Sequence, residues 1–291
     1  MGSPANLRMK VRNFDLAETL DSGQVFHWLE TANGSFVGCI GDVPVSLRQD
    51  GETLTASGAL EKQAIQHYLR LDPTHDDAIA SLSANDEPLQ EAMSFCSGLR
   101  ILRQPAWECL ATFITSSLKQ VAHIRQISLE LRRRFGVRQS IDGHEVFAYP
   151  TPQALSDAGE AELRTCGLGY RAKSLHLAAE SIASGATDLE AARTLGNEEA
   201  KAFLCQLHGV GPKIADCALL FGFDRLSAFP VDVWIERILR ERYFPRRRKP
   251  LSKKELEKWA LKHFGDYGGL AQQFLFHFAR KGPKSPEKTK G

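Results

Sequence analysis

Six cysteines are all that the 291 residues hold, and no two of them stand at CxxC spacing. None follows Cys217, which excludes a four-cysteine iron–sulfur loop near the C-terminus. Cys39, Cys96, Cys109, Cys166, Cys205 and Cys217 are scattered, mostly in apolar helical settings, and read as reduced thiols of an intracellular protein. No uninterrupted apolar run approaches the ~20 residues of a membrane span. The first residues, MGSPANLRMK, lack the apolar core of a signal peptide. Neither sign of charge dominates the whole, with a formal net charge of +2.

What is present fits a soluble globular protein: 43% hydrophobic and 25% charged residues, with length enough for two or three packed subdomains. The small net charge hides a split. Residues 1–95 carry 6 Lys and Arg against 14 Asp and Glu, whereas residues 96–291 carry 31 against 21. A basic two-thirds joined to an acidic third points to a polyanionic partner for the later part.

Residues 11–60 read as β-structure. Asn33-Gly34 and Asp50-Gly51 are hairpin signals, and SFVGCI, VPVSL and ETLTAS are the strands around them. Helices are predicted at 60–70 and 76–95, and from residue 97 the chain turns helical. One helix carries the stripe Trp107, Leu110, Ala111 and Ile114 and ends near Ser116. A second runs from Val121 to Phe135 and stops at Gly136. Arg132-Arg133-Arg134 reads as a solvated face of it. Thr151-Pro152 opens another helix, and Gly167 closes it. Residues 281–291, KGPKSPEKTKG, are predicted to form a disordered basic tail.

The stretch from Leu204 to Arg240, LCQLHGVGPKIADCALLFGFDRLSAFPVDVWIERILR, carries the chemistry. A helix is predicted to end near Leu207. Gly209-Val210-Gly211 then turns the chain, and Pro212 restarts it at a first helical position. The free N–H groups at that restart form an anion site that a DNA phosphate would satisfy. Lys213 stands in the same first turn, where the helix dipole opposes a cation and favours the neutral, nucleophilic amine. Asp232, after Pro230-Val231, is the predicted N-cap of the next helix. An amine nucleophile beside a fixed carboxylate suits cleavage of a glycosidic bond through a cationic sugar.

GVGPKIADC followed by PVDV resembles the helix-hairpin-helix, Gly/Pro-Asp DNA glycosylases, and most closely the eukaryotic-type 8-oxoguanine DNA glycosylase/lyases. The resemblance extends over residues 11–280. It implies an α+β, mainly α fold: an antiparallel β-sheet subdomain with helices at 1–95, then a helical region at 96–280 with the hairpin at 198–222. It implies Lys213 and Asp232 as catalytic residues. SGQVF places the Gly23 carbonyl against the damaged base, where it would accept a hydrogen bond from the N7–H that 8-oxoguanine has and guanine lacks. GGLAQQFLFHFA places Gln272 on the Watson–Crick edge and Phe276 on the stacking face. Cys217, one turn after Lys213, reads equally as pocket wall or core residue.

CGLGYRAKS resembles the loop whose tyrosine wedges beside the orphaned base and whose arginine bonds it, here Tyr170 and Arg171. Three positions depart from the family pattern. Leu118 stands for the asparagine that fills the hole in the duplex, and His123 stands for an arginine on the orphaned cytosine. Trp234 replaces a histidine near the DNA backbone. Gly209, Val210, Gly211 and Trp234 are the residues implied at phosphate. The implied partner is double-stranded DNA containing 8-oxoguanine, met by a monomer with no membrane association, no metal and no cofactor. Two alternatives stay open: a related glycosylase for another damaged base, and a non-catalytic DNA-binding hairpin protein.

Overall fold

The computed structural model describes residues 7–82, 84–116 and 120–283. The chain begins with β1 (Leu7–Lys10), a short helix α1 (Leu16–Leu20), β2 (Leu29–Glu30), β3 (Phe36–Ile40), β4 (Val43–Asp50), β5 (Thr53–Gly58) and α2 (Lys62–Tyr68). The five strands form one antiparallel sheet in the order β1-β5-β4-β3-β2. The Asp50-Gly51 turn sets the β4–β5 register, Asp50 opposite Thr53 and Leu47 opposite Ala56. Gly51 takes φ +54° there, a conformation that glycine reaches without strain. Alternation then puts Val45, Leu47, Leu54 and Ala56 on one buried face, with Met9, Trp28, Ile65 and Tyr68 against them.

The three predicted strands are present. The edge strand β1 was missed: LRMK offers only two apolar positions between charges, too short a pattern to stand out.

The helix predicted at 76–95 is two, α3 (Thr74–Ser81) and α4 (Glu87–Phe95), the second capped by Asp86 with a proline in its first turn. Then come α5 (Ala106–Ser116) and α6 (Val121–Phe135), stopped at Gly136 as its sequence predicts. A second hairpin, β6 (Arg138–Ile141) and β7 (His144–Phe147), interrupts the helical region where none was predicted. Its turn is Asp142-Gly143, the same signal that marked the Asp50 turn. The helices resume with α7 (Pro152–Leu163), α8 (Arg171–Ala183), α9 (Asn197–Leu204), α10 (Pro212–Gly222), α11 (Val233–Arg242), α12 (Lys253–Phe264) and α13 (Gly268–Lys281). Among the described residues no helix is long and apolar enough to cross a membrane. The predicted tail starts inside α13, and residues 284–291 lie outside the described residues.

Two cores result. The sheet core takes in α2 and Leu102. The helical core takes in α3 and α4, although they precede residue 96, and the helices that follow, whereas Ile141 and Val146 of β6–β7 pack with Val37 and Cys39 of β3 in a third, small cluster. At its centre is α5, whose buried residues include Glu108, Cys109, Leu110, Ala111, Thr112, Phe113 and Ile114, far more than one stripe.

Burying Glu108 needs a partner, and Arg132 supplies it. Arg132 is 2% exposed, ion-paired with Glu108, and donates to the Phe147 carbonyl at 3.0 Å. The arginine run is therefore not one solvated face; only Arg133 and Arg134 stay outside, both paired with Glu130. His27 lies 3.4 Å from the same carboxylate, and burial followed by the nearby Arg132 charge lowers its pKa well below the ordinary value. Removing one member of a buried pair strands the other charge. Arg132→Met should lower the unfolding free energy by about 3–5 kcal/mol. The double variant Glu108→Leu/Arg132→Met should recover most of that loss, both read from denaturant midpoints.

Candidate active site at a helix hairpin

The hairpin forms from α9 and α10. The first helix ends at Leu204, not near Leu207, and a tighter turn carries the chain on, with Leu207 N–H donating to the Leu204 carbonyl at 3.1 Å. Gly209 has φ +81°, and a Cβ there would lie 2.4 Å from both Cβ and Oγ of Ser174 on α8. Conformation and contact both demand glycine. Pro212 is the first residue of α10, with Gly211 at its N-cap. The Val210 N–H is taken by the Leu207 carbonyl at 3.1 Å. Of the three turn residues predicted at phosphate, Gly209, Val210 and Gly211, the first and last have N–H groups that meet no backbone carbonyl among the described residues.

Lys213 is the second residue of α10, and its Nζ lies 5.1 Å from the centroid of the Phe113 ring on α5. Cys217, one turn on, is 3% exposed and lies within reach of the lysine's charge. Burial pushes its pKa up to about 11 against the pull of Lys213, so it stays a thiol at neutral pH. Of the two readings of Cys217, the structure shows the buried residue. Asp232 caps α11, with Oδ1 accepting from the N–H groups of Trp234 and Ile235, each at 2.9 Å. Its Oδ2 enters no hydrogen bond and no ion pair with Lys213 among the described residues.

A pocket wall stands apart from the lysine in sequence. Gly23 has φ +85°, and a Cβ on it would lie 2.9 Å from Cε1 of Phe276 on α13. Gln272, one turn before Phe276, is 4% exposed, and its Oε1 has no hydrogen-bond partner. A buried amide oxygen without a partner is costly unless a ligand completes it. Aromatic rings link this wall to the lysine: Phe26, three residues after Gly23, meets Phe113 edge-on at 6.2 Å, and Phe113 stacks on Phe221 at 5.5 Å. Phe113 was missed in sequence, although it stands three residues after Leu110 on the same helix.

A third group gathers around the turn before α8. Tyr170 is 63% exposed, and the Arg171 guanidinium packs 4.6 Å from its ring centroid while Arg171 itself is only 5% exposed. The turn at Gly167 brings His123 beside them, its Nε2 3.9 Å from where a Gly167 Cβ would stand. Leu118 lies outside the described residues. Trp234 is half-buried at the start of α11, with the guanidinium of Arg237 4.4 Å from its ring centroid. Arg237 was not anticipated, though i,i+3 spacing on a helix places it on that ring. Arg246-Arg247-Arg248-Lys249 is fully on the surface.

Residues 6–110 match the family model for the 8-oxoguanine DNA glycosylase N-terminal domain, and residues 111–262 match that for the HhH-GPD superfamily base excision DNA repair proteins. The Arabidopsis thaliana protein named N-glycosylase/DNA lyase OGG1 is 30% identical over 294 residues, covering 94% of this chain and 80% of the relative. The Saccharomyces cerevisiae N-glycosylase/DNA lyase is 32% identical over 320 residues, covering 90% and 82%. Among solved structures, the Clostridium acetobutylicum 8-oxoguanine glycosylase/lyase, bound to double-stranded DNA with cytosine opposite 8-oxoG, superposes with a TM-score of 0.86 at 30% identity. That match covers 96% of this chain and 99% of the other. Both halves of the chain and its full-length relatives agree, and this chain belongs to the 8-oxoguanine DNA glycosylase/lyase family, within the HhH-GPD superfamily of base excision repair proteins.

Proposed function

We propose that this protein excises 8-oxoguanine from duplex DNA and then nicks the strand, with Lys213 as nucleophile. The observation that carries the reading is the position of Lys213: first turn of the hairpin's second helix, amine over Phe113 and one turn before the buried Cys217. The glycosidic bond cannot be reached in a stacked base, so the nucleotide must flip out of the duplex. Gly23, Gln272 and Phe276 then receive the base, the unpartnered Gln272 amide oxygen taking a donor from its Watson–Crick edge.

The neutral amine of Lys213 attacks the sugar C1′. The bond from C1′ to the base nitrogen breaks, and its electron pair leaves with the base, which takes up a proton. Asp232, fixed in place by two N–H donors to its Oδ1, stabilises the positive charge that develops on the sugar. Loss of the amine proton and opening of the sugar ring give a Schiff base. Loss of a C2′ proton then breaks the C3′–O bond and releases the 3′ phosphate. Every group in this sequence comes from one chain, which fits a monomer, and no step needs a metal or cofactor.

Gly209 and Gly211 offer backbone N–H groups to phosphate beside the lesion, and Trp234 with Arg237 supplies a ring and a cation next to Asp232. Tyr170, Arg171, His123 and Leu118 meet the orphaned base. Histidine reaches less far than the arginine of the family pattern and lacks its two-pronged donor fork, so discrimination for cytosine is relaxed.

Three outcomes follow. Borohydride should trap a covalent protein–DNA adduct on an 8-oxoguanine:cytosine duplex, and Lys213→Gln should give none; a persistent adduct would move the nucleophile elsewhere. Asp232→Asn keeps a good helix cap but loses the charge, so single-turnover excision should fall about 100-fold with little change in melting temperature. Excision rates opposite each of the four bases should be similar in the wild type, and His123→Arg should sharpen them toward cytosine by about tenfold.

A further inference from the structure

The Gly23 carbonyl can separate 8-oxoguanine from guanine only if it points one way. The two bases differ there by a single N–H, which the carbonyl accepts from one base and which the other replaces with a lone pair. Glycine is the residue least able to fix its own carbonyl. The surrounding contacts supply the restraint. The carbonyl just before it, of Ser22, accepts from Gln273 Nε2 at 3.1 Å, and the one just after it, of Gln24, accepts from Gln104 Nε2 at 2.7 Å. Gln24 is itself tied at both ends of its amide, donating to the Arg100 carbonyl at 2.8 Å and accepting from Leu102 N–H at 2.7 Å. The Gly23 carbonyl between them accepts no hydrogen bond among the described residues.

Gln273 is the neighbour of Gln272 on α13 and is 2% exposed. A chain of polar contacts continues along the same helix. Arg280 bonds the Asp21 carbonyl and lies 3.2 Å from His277 Nδ1, and His277 Nε2 lies 2.6 Å from the Glu18 carboxylate. With Nδ1 accepting from arginine, the imidazole proton sits on Nε2 and donates to Glu18. Lys281 pairs with Asp21. The segment from Glu18 to Gln24, built on the sheet side, is thus clasped to the helix that presents Gln272 and Phe276.

We propose that Gln273, backed by the Arg280–His277–Glu18 chain, is a positioning residue for lesion discrimination: it never meets the base, and it aims the Gly23 carbonyl by holding the peptide before it. The inference rests on the proposed excision of 8-oxoguanine. It separates two activities of the same protein, because base removal needs the carbonyl, whereas nicking at a ready-made abasic site needs only Lys213 and DNA.

The test compares single-turnover excision of 8-oxoguanine opposite cytosine with nicking of the same duplex carrying an abasic site. Gln273→Met keeps length and loses the donor. Excision should fall about tenfold, the effect of one misplaced hydrogen bond, with abasic nicking within about twofold of wild type. Unchanged excision, or an equal fall in both activities, would overturn the positioning role. Glu18→Gln, at a side chain 39% exposed, safeguards the test should Gln273→Met not fold. It should lower excision by about threefold and spare abasic nicking; no selective loss there overturns the proposal. A wild-type protein that nicks abasic DNA yet leaves 8-oxoguanine in place would overturn the functional reading and this inference together, and is recognised before any variant is made.

Discussion

The site depends on how closely α10 lies along α5. The contact runs through small residues: a Cβ on Gly222 would meet Cys109 Cβ at 3.1 Å and Ala106 Cα at 3.2 Å. Cys109 Sγ approaches the Cys217 carbonyl at 3.8 Å, and one turn further Phe113 stacks on Phe221. With the helices that near, the Lys213 amine at the start of α10 has an aromatic face beneath it and a buried thiol beside it. A helix set even 1 Å further out would loosen all three contacts, and misplacement on that scale is enough to slow a positioned reaction substantially. The requirement explains why α5 is buried on every side, and why it must then accept an ion pair at Glu108.

The second constraint is that the pocket is made from both cores. Gly23 belongs to a loop beside the sheet, Phe276 and Gln272 to the last helix, and Lys213 to a helix before it. Such a pocket keeps its shape only if the cores are locked in register. Apolar packing resists separation of the cores but sets their register less sharply than directional bonds do. Arginines between the cores supply the direction. Arg70 donates to the Ile101 carbonyl at 2.9 Å and pairs with Asp224, Arg103 pairs with Asp224 at 2.8 Å, and Arg100 reaches Asp76 at 3.2 Å and the Asn13 carbonyl at 3.1 Å.

What could be read from sequence followed the range of the rule that wrote it. The Gly-Val-Gly-Pro turn, the Asp232 cap and the stop of α6 at Gly136 are local rules, satisfied within a few residues. Gln272 and Phe276 came from the family pattern, and their spacing placed them on one face, but only the fold brings Gly23 against that face from about 250 residues away. Arg132 defeated local reading, because three adjacent arginines look alike until a buried glutamate on another helix selects one of them. Gln273 was equally silent: nothing in the sequence marks which of two neighbouring glutamines keeps an unpartnered amide oxygen and which holds a loop.

The charge split along the chain also changes meaning in three dimensions. The acidic first third and the basic remainder suggested that the excess positive charge faces a polyanion. Much of it faces the chain itself. Asp72 pairs with Arg103, Asp76 with Arg100 and Glu91 with Arg242. Asp86 accepts from the Tyr243 hydroxyl at 2.8 Å and lies 2.7 Å from His263, while Glu18 and Asp21 meet His277 and Lys281. The exposed pairs among these add little stability one by one. Their effect is to use up positive charge where the acidic first third of the chain packs on the rest, while a remainder at Arg246 to Lys249 stays exposed elsewhere on the surface. A duplex approaching the molecule is drawn by that remainder and not by the total, because paired charges largely cancel beyond ~10 Å in salt. The acidic third of the sequence thus helps to decide where on the basic two-thirds a polyanion is met.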